Sequence, residues 1–593
     1  MQQYFTQLFT RLILSLGLGL GLAETAWAQS AVWQWGLQSQ NATPTDATSA
    51  NSYAVAVDAQ GRSYMGGSYG EYSITPLSAT RSFGSAGSIG PGYGAYVACA
   101  SPNGQWAWVQ AITASGSSTH YPPTMVTGLA VTAAGDVYAT GFAQGNTVTV
   151  GSISETMGLP SGIFVARFNS AGVCQWLRTI GTTLTRPHIA ADPSTGGVVI
   201  AGDYLIPLVF GNYTLPADTT GANRPLFVAR LSATGQWLGA AASTGVGGVT
   251  SDVQVAVGPG GQVAVTGSYG EGRMAFGTST LTAPTGTSES LFIAQLSANN
   301  QWDWAVGSAN TQWCTGTSLG YTSTGALWVS GRGANGTLLG STVLAAGGQP
   351  GWAFAGFIGQ LTPTGQWRLL EQLSPGRPAL ATIHALAVDG AGNAISVALV
   401  DSYGGSVPAT MGNLLLTTPV DSRLQLVVRL SSTGQVQQVA AVPASSQTFR
   451  LLLSNGCLDA GGNYYVSGYL RGGLHIGNST LAGTDDGSTS NNTQGDAMLA
   501  KLSGAGTPLA TRAITPVIAL ACWPNPAHQR ATISWLVPAT DPTVIILTDA
   551  LGRTVRHQLV VARSTTATLN LAGLPAGVYW VRYQTSCQQL VVQ

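Results

Sequence analysis

Residues 54–67 read AVAVDAQGRSYMGG. Apolar residues alternate with small or polar ones on both sides of a glycine turn at Gly61, and the second alternation ends in Gly66 and Gly67. Hydrophobicity with a period of two predicts β-strands, and the central glycine predicts a tight turn between them. The pattern occurs seven times along the chain, centred on Gly61, Gly135, Gly197, Gly261, Gly325, Gly392 and Gly462.

A second pattern follows each copy of the first. It consists of a strand such as Phe164 to Phe168, a Ser/Asn-x-x-Gly turn, and a strand that commonly opens with Gln-Trp, as at Gln105-Trp106. Between the two patterns runs a variable stretch rich in Gly, Thr and Ser, which often carries Phe-Gly-x-x-Thr-Leu, as at residues 276–281. The turns of the second pattern are centred on Gly104, Gly172, Gly235, Asn300, Gly365, Gly434 and Gly506.

Each repeat therefore provides four principal strands, with a loop or small hairpin inserted midway. Successive first turns are 62 to 74 residues apart, longer than the roughly 40 to 50 residues of common propeller blades. One four-stranded sheet cannot cover both its faces in water, whereas seven sheets packed radially bury them against one another. The sequence predicts an all-β fold, a seven-bladed β-propeller followed by a small C-terminal β-sandwich. A β-solenoid is the alternative, although its repeats usually span about 20 to 30 residues.

The two ends of the repeat region predict how the last repeat is completed. Trp33-Gln34-Trp35 matches the Trp-x-Trp strand that opens at Trp106, but no first pattern precedes it. The seventh repeat has Gly506-Thr507-Pro508 where Gly-Gln-Trp is expected, and proline is poorly suited to a central strand. We therefore expect residues 33–37 to supply the outer strand of the seventh blade.

The repeats resemble a family of bacterial β-propeller repeats over about residues 50–514. Family members read roughly as apolar-Ala-Val-Asp-x-x-Gly-Asn-x-Tyr-Val-x-Gly, followed by Asp-x-Phe-Val-x-Lys-Leu and Gly-x-x-x-Trp. In this chain the lysine is usually Arg or Gln, as at Arg230, Gln295 and Arg429, whereas Lys501 keeps it. The resemblance implies the propeller fold, and no common activity attaches to the family.

The N-terminus has the parts of a secretory signal peptide. Arg11 supplies an early positive charge, residues 12–22 form a mostly apolar run, and Ala26-Trp27-Ala28 is a small-x-small cleavage site. We expect residues 1–28 to be removed, which leaves Gln29 first. The apolar run is shorter than the roughly 20 residues that a membrane-spanning helix needs, and no later segment approaches that length.

Composition changes near Thr515, and residues 515–593 no longer follow the repeat. Short alternating runs separated by turns predict a small antiparallel β-sandwich there. Three motifs stand in order within it: Pro524-Asn525-Pro526, the turn from Asp549 through Gly552 to Arg553, and Leu574-Pro575-Ala576-Gly577-Val578-Tyr579.

These motifs closely resemble the type A C-terminal sorting domain of the type IX secretion system, found in the phylum Bacteroidota. The resemblance implies that the chain crosses the inner membrane by the Sec route and the outer membrane by the type IX translocon, so that the secretion machinery is a partner. It also implies that residues 515–593 are then removed. The body, residues 29–514, would be released or tethered to surface lipopolysaccharide. An accessory sandwich without a sorting role is the alternative.

The composition excludes several function classes. Charged residues make up 8% of the chain and Lys501 is the only lysine, so a basic face for nucleic acid is not expected. Six cysteines are too few for a disulfide scaffold and show no C-x-x-C spacing, although Cys522 and Cys587 could form a disulfide in an oxidising compartment. The six histidines include no His-x-x-x-His pair, and we expect neither a metal nor a cofactor.

The candidate catalytic residues have simpler structural explanations. Gly-x-Ser-x-Gly occurs at residues 66–70 and 316–320, but in β-repeats and not at the strand-to-helix turn of a hydrolase nucleophile. His188 and His384 occupy equivalent places in their repeats and either face a channel or are ordinary turn histidines. Acidic residues that recur before the glycine turn are expected to cap backbone N–H groups, and the repeated tryptophans to pack between blades rather than to stack on sugars. These are Asp58, Asp389 and Asp459, and Trp106, Trp176, Trp237, Trp302 and Trp367.

The sequence favours an exported, non-enzymatic protein that serves adhesion or binds a glycan or a protein. The variable inserts after Gly141, Gly267 and Gly331 are the candidate binding loops, because loops carry function on a repetitive scaffold. The alternative is an exported polysaccharide lyase or hydrolase with its site at the channel. Two carboxylates, or a histidine with a tyrosine or arginine, meeting at one end of the channel would favour the enzyme.

Overall fold

The computed structural model describes residues 32–593 with gaps at 42–47, 72–79, 116–123, 184, 218–222, 252, 310–312, 348–352, 377–378, 403–406, 413, 418–422, 443–449, 472, 483–494, 505–520, 535–542, 550–552, 562–563, 565 and 584–585. The expected signal peptide and its cleavage site at Ala26, Ala28 and Gln29 lie outside the described residues.

The chain divides into two compact units, Met1–Leu509 and Ala510–Gln593, here called the body and the C-terminal unit. Both consist of β-strands, and the described residues contain a single short 3-10 turn, Gly84–Ala86, and no α-helix. The all-β class expected from the sequence is confirmed. None of the described helical segments is long and apolar enough to cross a membrane.

Seven four-stranded antiparallel repeat units make up the described part of the body. Within each unit the sheet order follows the order of the strands in the sequence, except that the fourth strand of unit 7 comes from the N-terminus. The first strands are Thr48–Val57, Thr124–Val131, His188–Ala191, Gln254–Val257, Cys314–Tyr321, Ala379–Val388 and Arg450–Leu458. The second strands are Ser63–Glu71, Val137–Gln144, Val198–Asp203, Val263–Tyr269, Leu327–Ala334, Ala394–Ser402 and Tyr464–Arg471. The third strands are Gly94–Ala100, Ser161–Phe168, Leu226–Leu231, Ser290–Leu296, Phe354–Leu361, Arg423–Leu430 and Asp496–Leu502. The fourth strands are Trp106–Ser115, Cys174–Gly181, Trp237–Ala242, Trp302–Gly307, Trp367–Pro375, Val436–Ala441 and, for unit 7, Trp33–Gln38.

The strand Trp33–Gln38 pairs antiparallel with Asp496–Leu502, with Trp35 opposite Lys501. Trp33 and Trp35 are buried, at 9% and 8% exposure. The sequence predicts that residues 33–37 complete the seventh repeat, and this pairing is confirmed. The first and last segments of the body therefore share one sheet.

Contacts between units run from each unit to the next and from the last back to the first. The first strand of every unit contacts that of the following unit, and Arg450–Leu458 contacts Thr48–Val57. Each of seven hydrophobic clusters takes its side chains from two consecutive units. The cluster between units 7 and 1 joins Trp35 and Leu499 to Val55 and Met65. Burial between neighbouring sheets is the main source of apolar stabilisation in the body.

A two-stranded hairpin is inserted between the second and third strands of every described unit. Three of these hairpins pair with the fourth strand, or its extension Gln40–Asn41, of the preceding unit: Arg81–Ser82, Thr147–Val150 and Pro408–Met411 do so. Of the three inserts expected to be binding loops, the one after Gly141 is joined in this way, and those after Gly267 and Gly331 each form a single bridge to the preceding unit, at Ala275–Thr244 and Leu338–Ala309. The hairpins are Arg81–Ser82 with Ser88–Ile89, Thr147–Val150 with Ile153–Thr156, Leu208–Phe210 with Tyr213–Leu215, Gly272–Phe276 with Ser279–Ala283, Leu338–Leu339 with Thr342–Val343, Pro408–Met411 with Leu414–Thr417, and Gly473–Ile476 with Ser479–Ala482.

Tryptophans of the fourth strands connect units in two ways. Trp108 packs on Gly172 in the turn of the next unit and donates a hydrogen bond from Nε1 to Ser170 O at 3.1 Å. Trp302 instead packs against Phe276 of its own hairpin, with ring centroids 4.9 Å apart, and donates to Ala242 O of the preceding unit. Both arrangements agree with packing as the role of the repeated tryptophans.

The C-terminal unit contains two antiparallel sheets around one hydrophobic cluster. One sheet has the order Ala521–Trp523, Arg530–Ser534, Thr566–Asn570, and the other has the order Thr554–Val560, Thr543–Thr548, Gly577–Tyr583, Ser586–Val592. The shared cluster includes Ile533, Leu547, Val581 and Leu590, all fully buried.

Candidate functional site

The first C-terminal motif, Pro524-Asn525-Pro526, holds the last strand of the chain. The Asn525 side chain donates from Nδ2 to Gln589 O at 2.9 Å and accepts the Val591 N–H at Oδ1 at 2.8 Å. The backbone of Ala527 continues the contact by donating to Val591 O and accepting from Gln593 N. An asparagine amide suits this position because it offers a donor and an acceptor to an otherwise unpaired strand edge.

The second and third motifs stabilise turns. Asp549 Oδ1 accepts the Arg553 N–H at 2.9 Å, and Arg553 Nε lies 2.7 Å from Asp549 Oδ2. Gly552, between them, lies outside the described residues. In the third motif Leu574 is half-buried, Gly577 begins a strand, and Tyr579 is buried and donates its hydroxyl to Pro575 O at 2.8 Å.

The expected Cys522–Cys587 disulfide stays a prediction. Cys522 lies in the strand Ala521–Trp523 and Cys587 in Ser586–Val592, but the side chain of Cys587 is outside what the structure describes.

The body contains a partly open cavity of about 180 Å³ among its seven first strands and the segments that lead into them. Every unit contributes to the wall. The lining residues are Tyr53, Met125, Thr127, Arg186, His188, Gln254, Thr317, Ser318, Ala385, Ser454 and Asn455.

Bulges in the first strands determine which residues line this cavity. In five units the register between the first and second strands shifts, which leaves one or two residues of the first strand without an opposite residue. A β-bulge of this kind redirects a side chain. The bulged residues that line the cavity are Tyr53, Thr127, Thr317, Ala385 and Ser454.

The glycine that ends the first sequence pattern is needed at the bulge. A Cβ on Gly67 would lie 1.7 Å from Asn51 O, and one on Gly141 would lie 1.9 Å from Met125 O. The backbone of the bulged strand therefore comes too close for any side chain at these positions.

Hydrogen bonds between neighbouring units surround the cavity. Thr317 Oγ1 donates to Ile383 O at 2.6 Å, Thr127 Oγ1 donates to Pro187 O, and Asn455 Nδ2 donates to Tyr53 O at 3.2 Å. Ser318 Oγ accepts the Leu386 N–H at 3.1 Å. The polar wall is thus fixed by bonds that also join the units.

The two histidines singled out in the sequence have different surroundings. His188 lines the cavity, and its Nε2 lies 3.3 Å from Gln254 Nε2. His384 Nε2 lies 2.7 Å from Leu453 O in the next unit, and because a carbonyl oxygen only accepts, Nε2 is the donor. Burial lowers the pKa of His384, opposed by this hydrogen bond.

The other catalytic candidates take structural roles. Ser68 is buried within a second strand and Ser318 lies in a first strand, so neither stands at a strand-to-helix turn. Asp58 Oδ1 accepts the N–H groups of Gln60 and Arg62, and Asp389 and Asp459 bond to their turns in the same way. The expected capping role of these carboxylates is confirmed. In the described part of the chain, no group of three His, Cys, Asp or Glu side chains is arranged to hold a metal ion.

Residues 521–593 match a family model described as a secretion system C-terminal sorting domain. A sorting domain is therefore present, and the chain is a secreted or cell-surface protein that interacts with the type IX secretion machinery. The sequence expectation for the end of the chain is confirmed on this point.

Two solved structures show a weak likeness to the chain. A protein of unknown function from Bacteroides caccae is 9% identical with a TM-score of 0.27, over 59% of this chain and 95% of that chain. Dimeric latent PorU from Porphyromonas gingivalis is 10% identical with a TM-score of 0.13, over 62% of this chain and 31% of that chain. At TM-scores this low, neither likeness bears on fold or function. No curated protein matches the chain.

Proposed function

We propose that the body is a seven-bladed β-propeller that binds a glycan or a protein outside the cell without catalysing a reaction. Three observations support the ring: the first strands contact one another in a cycle, seven hydrophobic clusters lie between consecutive units, and Trp33–Gln38 pairs with the last unit. A propeller leaves only short, protected sheet edges, in agreement with hairpins that cover fourth strands.

The observation that carries the binding function is the sorting domain behind a body with a polar cavity, whose described lining residues are mostly uncharged. Export places the body where ligands are extracellular. No Asp or Glu occurs among the described residues that line the cavity, which argues against the paired carboxylates of most glycosidases. An array of glycans and matrix proteins, probed with the full chain, tests this function, and no signal above background at high concentration would count against it.

In this proposal the chain is processed at both ends. Residues 1–28 act as a signal peptide that is cut after Ala28, and residues 515–593 are removed after crossing the outer membrane. The body, residues 29–514, is then released or tethered to lipopolysaccharide. N-terminal sequencing and intact mass of the exported protein test both cuts, and a mature chain that does not begin at Gln29 would contradict the first.

The geometry at Asn525 suggests a sharper test of the sorting motifs. Asn525→Ala removes both side-chain bonds to the last strand and is expected to lower the stability of the C-terminal unit by about 1–3 kcal/mol and to reduce export. The exposed Gln558→Ala in the same unit is the control. Equal amounts of both variants in the culture medium would show that Asn525 has no part in sorting.

A lyase is the second candidate, because Tyr53, Arg186 and His188 line one cavity. A histidine or tyrosine base with an arginine is a set that can abstract a proton beside a uronate carboxylate. This meeting of a histidine with a tyrosine and an arginine is the arrangement expected to favour an enzyme, and His188 Nε2 also lies 3.3 Å from Gln254 Nε2. Incubation with uronate polysaccharides tests the lyase, since β-elimination forms an unsaturated product that ultraviolet absorbance detects. Product formation that His188→Gln abolishes would establish the enzyme.

A further inference from the structure

The wall of the central cavity points to a ligand class. Bulges at matching places in units 1, 2, 5, 6 and 7 each leave out at least one residue of the strand ladder. Units 3 and 4 contribute Arg186, His188 and Gln254 instead. Bulges re-aim side chains and recur next to functional sites, and here five of them converge on one space.

The chemistry of the wall is that of hydroxyl and amide groups. Thr127 and Thr317 donate their protons to backbone carbonyls of the next unit, so each hydroxyl oxygen keeps lone pairs that can accept a bond from a ligand. These bonds also hold the side chains in one orientation before a ligand arrives. Tyr53 and Met125 add apolar surface beside the polar groups. A ring that carries several hydroxyl groups and an apolar C–H face is complementary to such a wall.

The charge of the lining residues and the volume of the cavity restrict the class of ligand. Arg186 is the one charged side chain among the described lining residues, and it is already engaged with another group of the protein. Hydroxyl and amide side chains outnumber this single charge in the wall, so the wall suits a ligand that presents hydroxyl groups. The volume of about 180 Å³ is below the roughly 300–1,000 Å³ of sites for drug-sized molecules, which restricts the occupant to a single small unit.

We propose that this cavity binds one neutral sugar unit, the end of a glycan chain that enters from outside the protein. The inference rests on the proposed binding function and assigns it to the first strands in place of the inserts. The sugar hydroxyls bond to Thr127, Thr317, Ser454 and Asn455, and the C–H face of the ring packs on Tyr53.

Titration of the full chain with the methyl glycosides of glucose, galactose, mannose, fucose and N-acetylglucosamine tests the site, followed by saturation-transfer NMR and calorimetry. We expect at least one to bind saturably, and Ser454→Phe, which fills the cavity, to abolish that binding. The control is Ser341→Phe on an exposed hairpin turn, which should bind like the unsubstituted chain. Tyr53→Ala removes the ring on which the sugar packs and should weaken binding by about tenfold.

Two results would overturn the inference. One is that none of the five glycosides binds saturably at the highest soluble concentration. The other is that Ser454→Phe, with an unchanged melting temperature, binds them as tightly as the Ser341→Phe control. If the glycan and matrix array still gives a signal with Ser454→Phe, the cavity assignment fails while the binding function stands. An array without signal for the unsubstituted chain would contradict both.

Discussion

The boundary between units 7 and 1 differs from the boundary between units 1 and 2 in one respect. Both use a tryptophan on a turn glycine: Trp35 on Gly104 in the first case, and Trp108 on Gly172 in the second. The boundary between units 7 and 1 adds a buried ion pair between Arg81 and Asp496, with exposures of 0% and 1%. Arg81 belongs to the hairpin of unit 1 and Asp496 to the third strand of unit 7.

The guanidinium of Arg81 also bonds to the segment that follows the N-terminal strand. Its Nε donates to Ser39 Oγ at 3.1 Å, its Nη1 donates to Asn41 Oδ1 at 2.6 Å, and its Nη2 donates to Gly495 O at 3.1 Å. Short stretches of sequence join both pairs of units, residues 116–123 between units 1 and 2 and residues 39–47 between units 7 and 1. Within unit 7, however, no short stretch joins the third strand, Asp496–Leu502, to the fourth strand, Trp33–Gln38. The difference teaches that the buried hydrogen-bond network of Arg81 lies where two paired strands, the third and fourth of unit 7, are far apart in the sequence.

The largest expected effect comes from removing the strand that joins the ends. A chain that begins after Gln40 loses the buried Trp33 and Trp35, each worth about 3–5 kcal/mol when truncated, so we expect the body to lose about 6–10 kcal/mol and most of its cooperative unfolding. Calorimetry of the shortened chain measures this. Removal of residues 510–593 is the control and should leave the melting of the body unchanged. Equal melting temperatures for the shortened and full chains would contradict the role of the strand.

The next largest effect compares the loss of stability on breaking the buried Arg81 network with the loss on breaking an ordinary surface ion pair. Arg81→Met leaves Asp496 buried without its partner and should destabilise the body by about 3–5 kcal/mol. Arg178→Met, which breaks the half-exposed pair with Glu155, should cost at most about 1 kcal/mol. Urea unfolding of both variants gives the comparison. If Arg81→Met costs no more than Arg178→Met, the boundary between units 7 and 1 has no special dependence on the network.

Two turn glycines test the contact that both boundaries share, a tryptophan packed on a glycine. Gly172 has φ of 81°, and a Cβ there would lie 2.5 Å from Trp108 Cδ2, whereas Gly462 has φ of 76° and no atom within 4 Å of such a Cβ. Both alanine variants cost about 1–2 kcal/mol for the left-handed backbone, but only Gly172→Ala also disturbs the tryptophan contact. We expect Gly172→Ala to be the more destabilising in thermal unfolding. Equal losses would mean that the Trp108 contact contributes nothing measurable.

The smallest effect concerns pH at the boundary between units 6 and 7. Burial lowers the pKa of His384 below its ordinary value of 6.5, so the folded protein binds a proton less readily than the unfolded chain. Stability is therefore complete above pH of about 6.5 and falls as the pH drops from there through the lower folded pKa. His384→Gln should remove this part of the pH dependence in urea unfolding measured between neutral and mildly acidic pH. An unchanged slope in the variant would assign the acid sensitivity to other groups.

The strands could be predicted because their signals are local. The turn glycines at Gly61 and Gly104 have φ of 77° and 75°, and the alternation on each side of them needs no tertiary information. The N-terminal strand could be predicted because Trp33 and Trp35 repeat a pattern that the last unit lacks. Asn300 is the exception among the second-pattern turns, since it replaces the turn glycine. It still has a positive φ of 60°, and the residue facing it is Gly239 instead of a tryptophan.

The cavity could not be predicted because the bulged residues, such as Tyr53 and Thr127, stand just before the apolar alternations at Ala54 and Leu129, where there is no period for an extra residue to shift. Tyr53 and Thr317 therefore look like ordinary strand positions in the sequence. One signal was present, since Gly67, Gly141 and Gly331 stand opposite the bulges and tolerate no Cβ. The Arg81–Asp496 pair had no such signal, because its partners lie 415 positions apart and Arg81 belongs to a variable insert. The role of the inserts as joints between units was missed for the same reason.

The pairing of the N-terminal strand with unit 7 also bears on how fast the protein folds. Val32 donates to Ser503 Oγ across 471 positions of the sequence, so the first described strand of the body waits for the last before its hydrogen bonds form. Contacts of such sequence separation raise the contact order and slow folding, because the entropy cost of closing the loop comes before any stabilising contact forms. Until then the third strand of unit 7 presents an unpaired edge to other chains. The body is therefore expected to remain vulnerable to aggregation until its two ends have met.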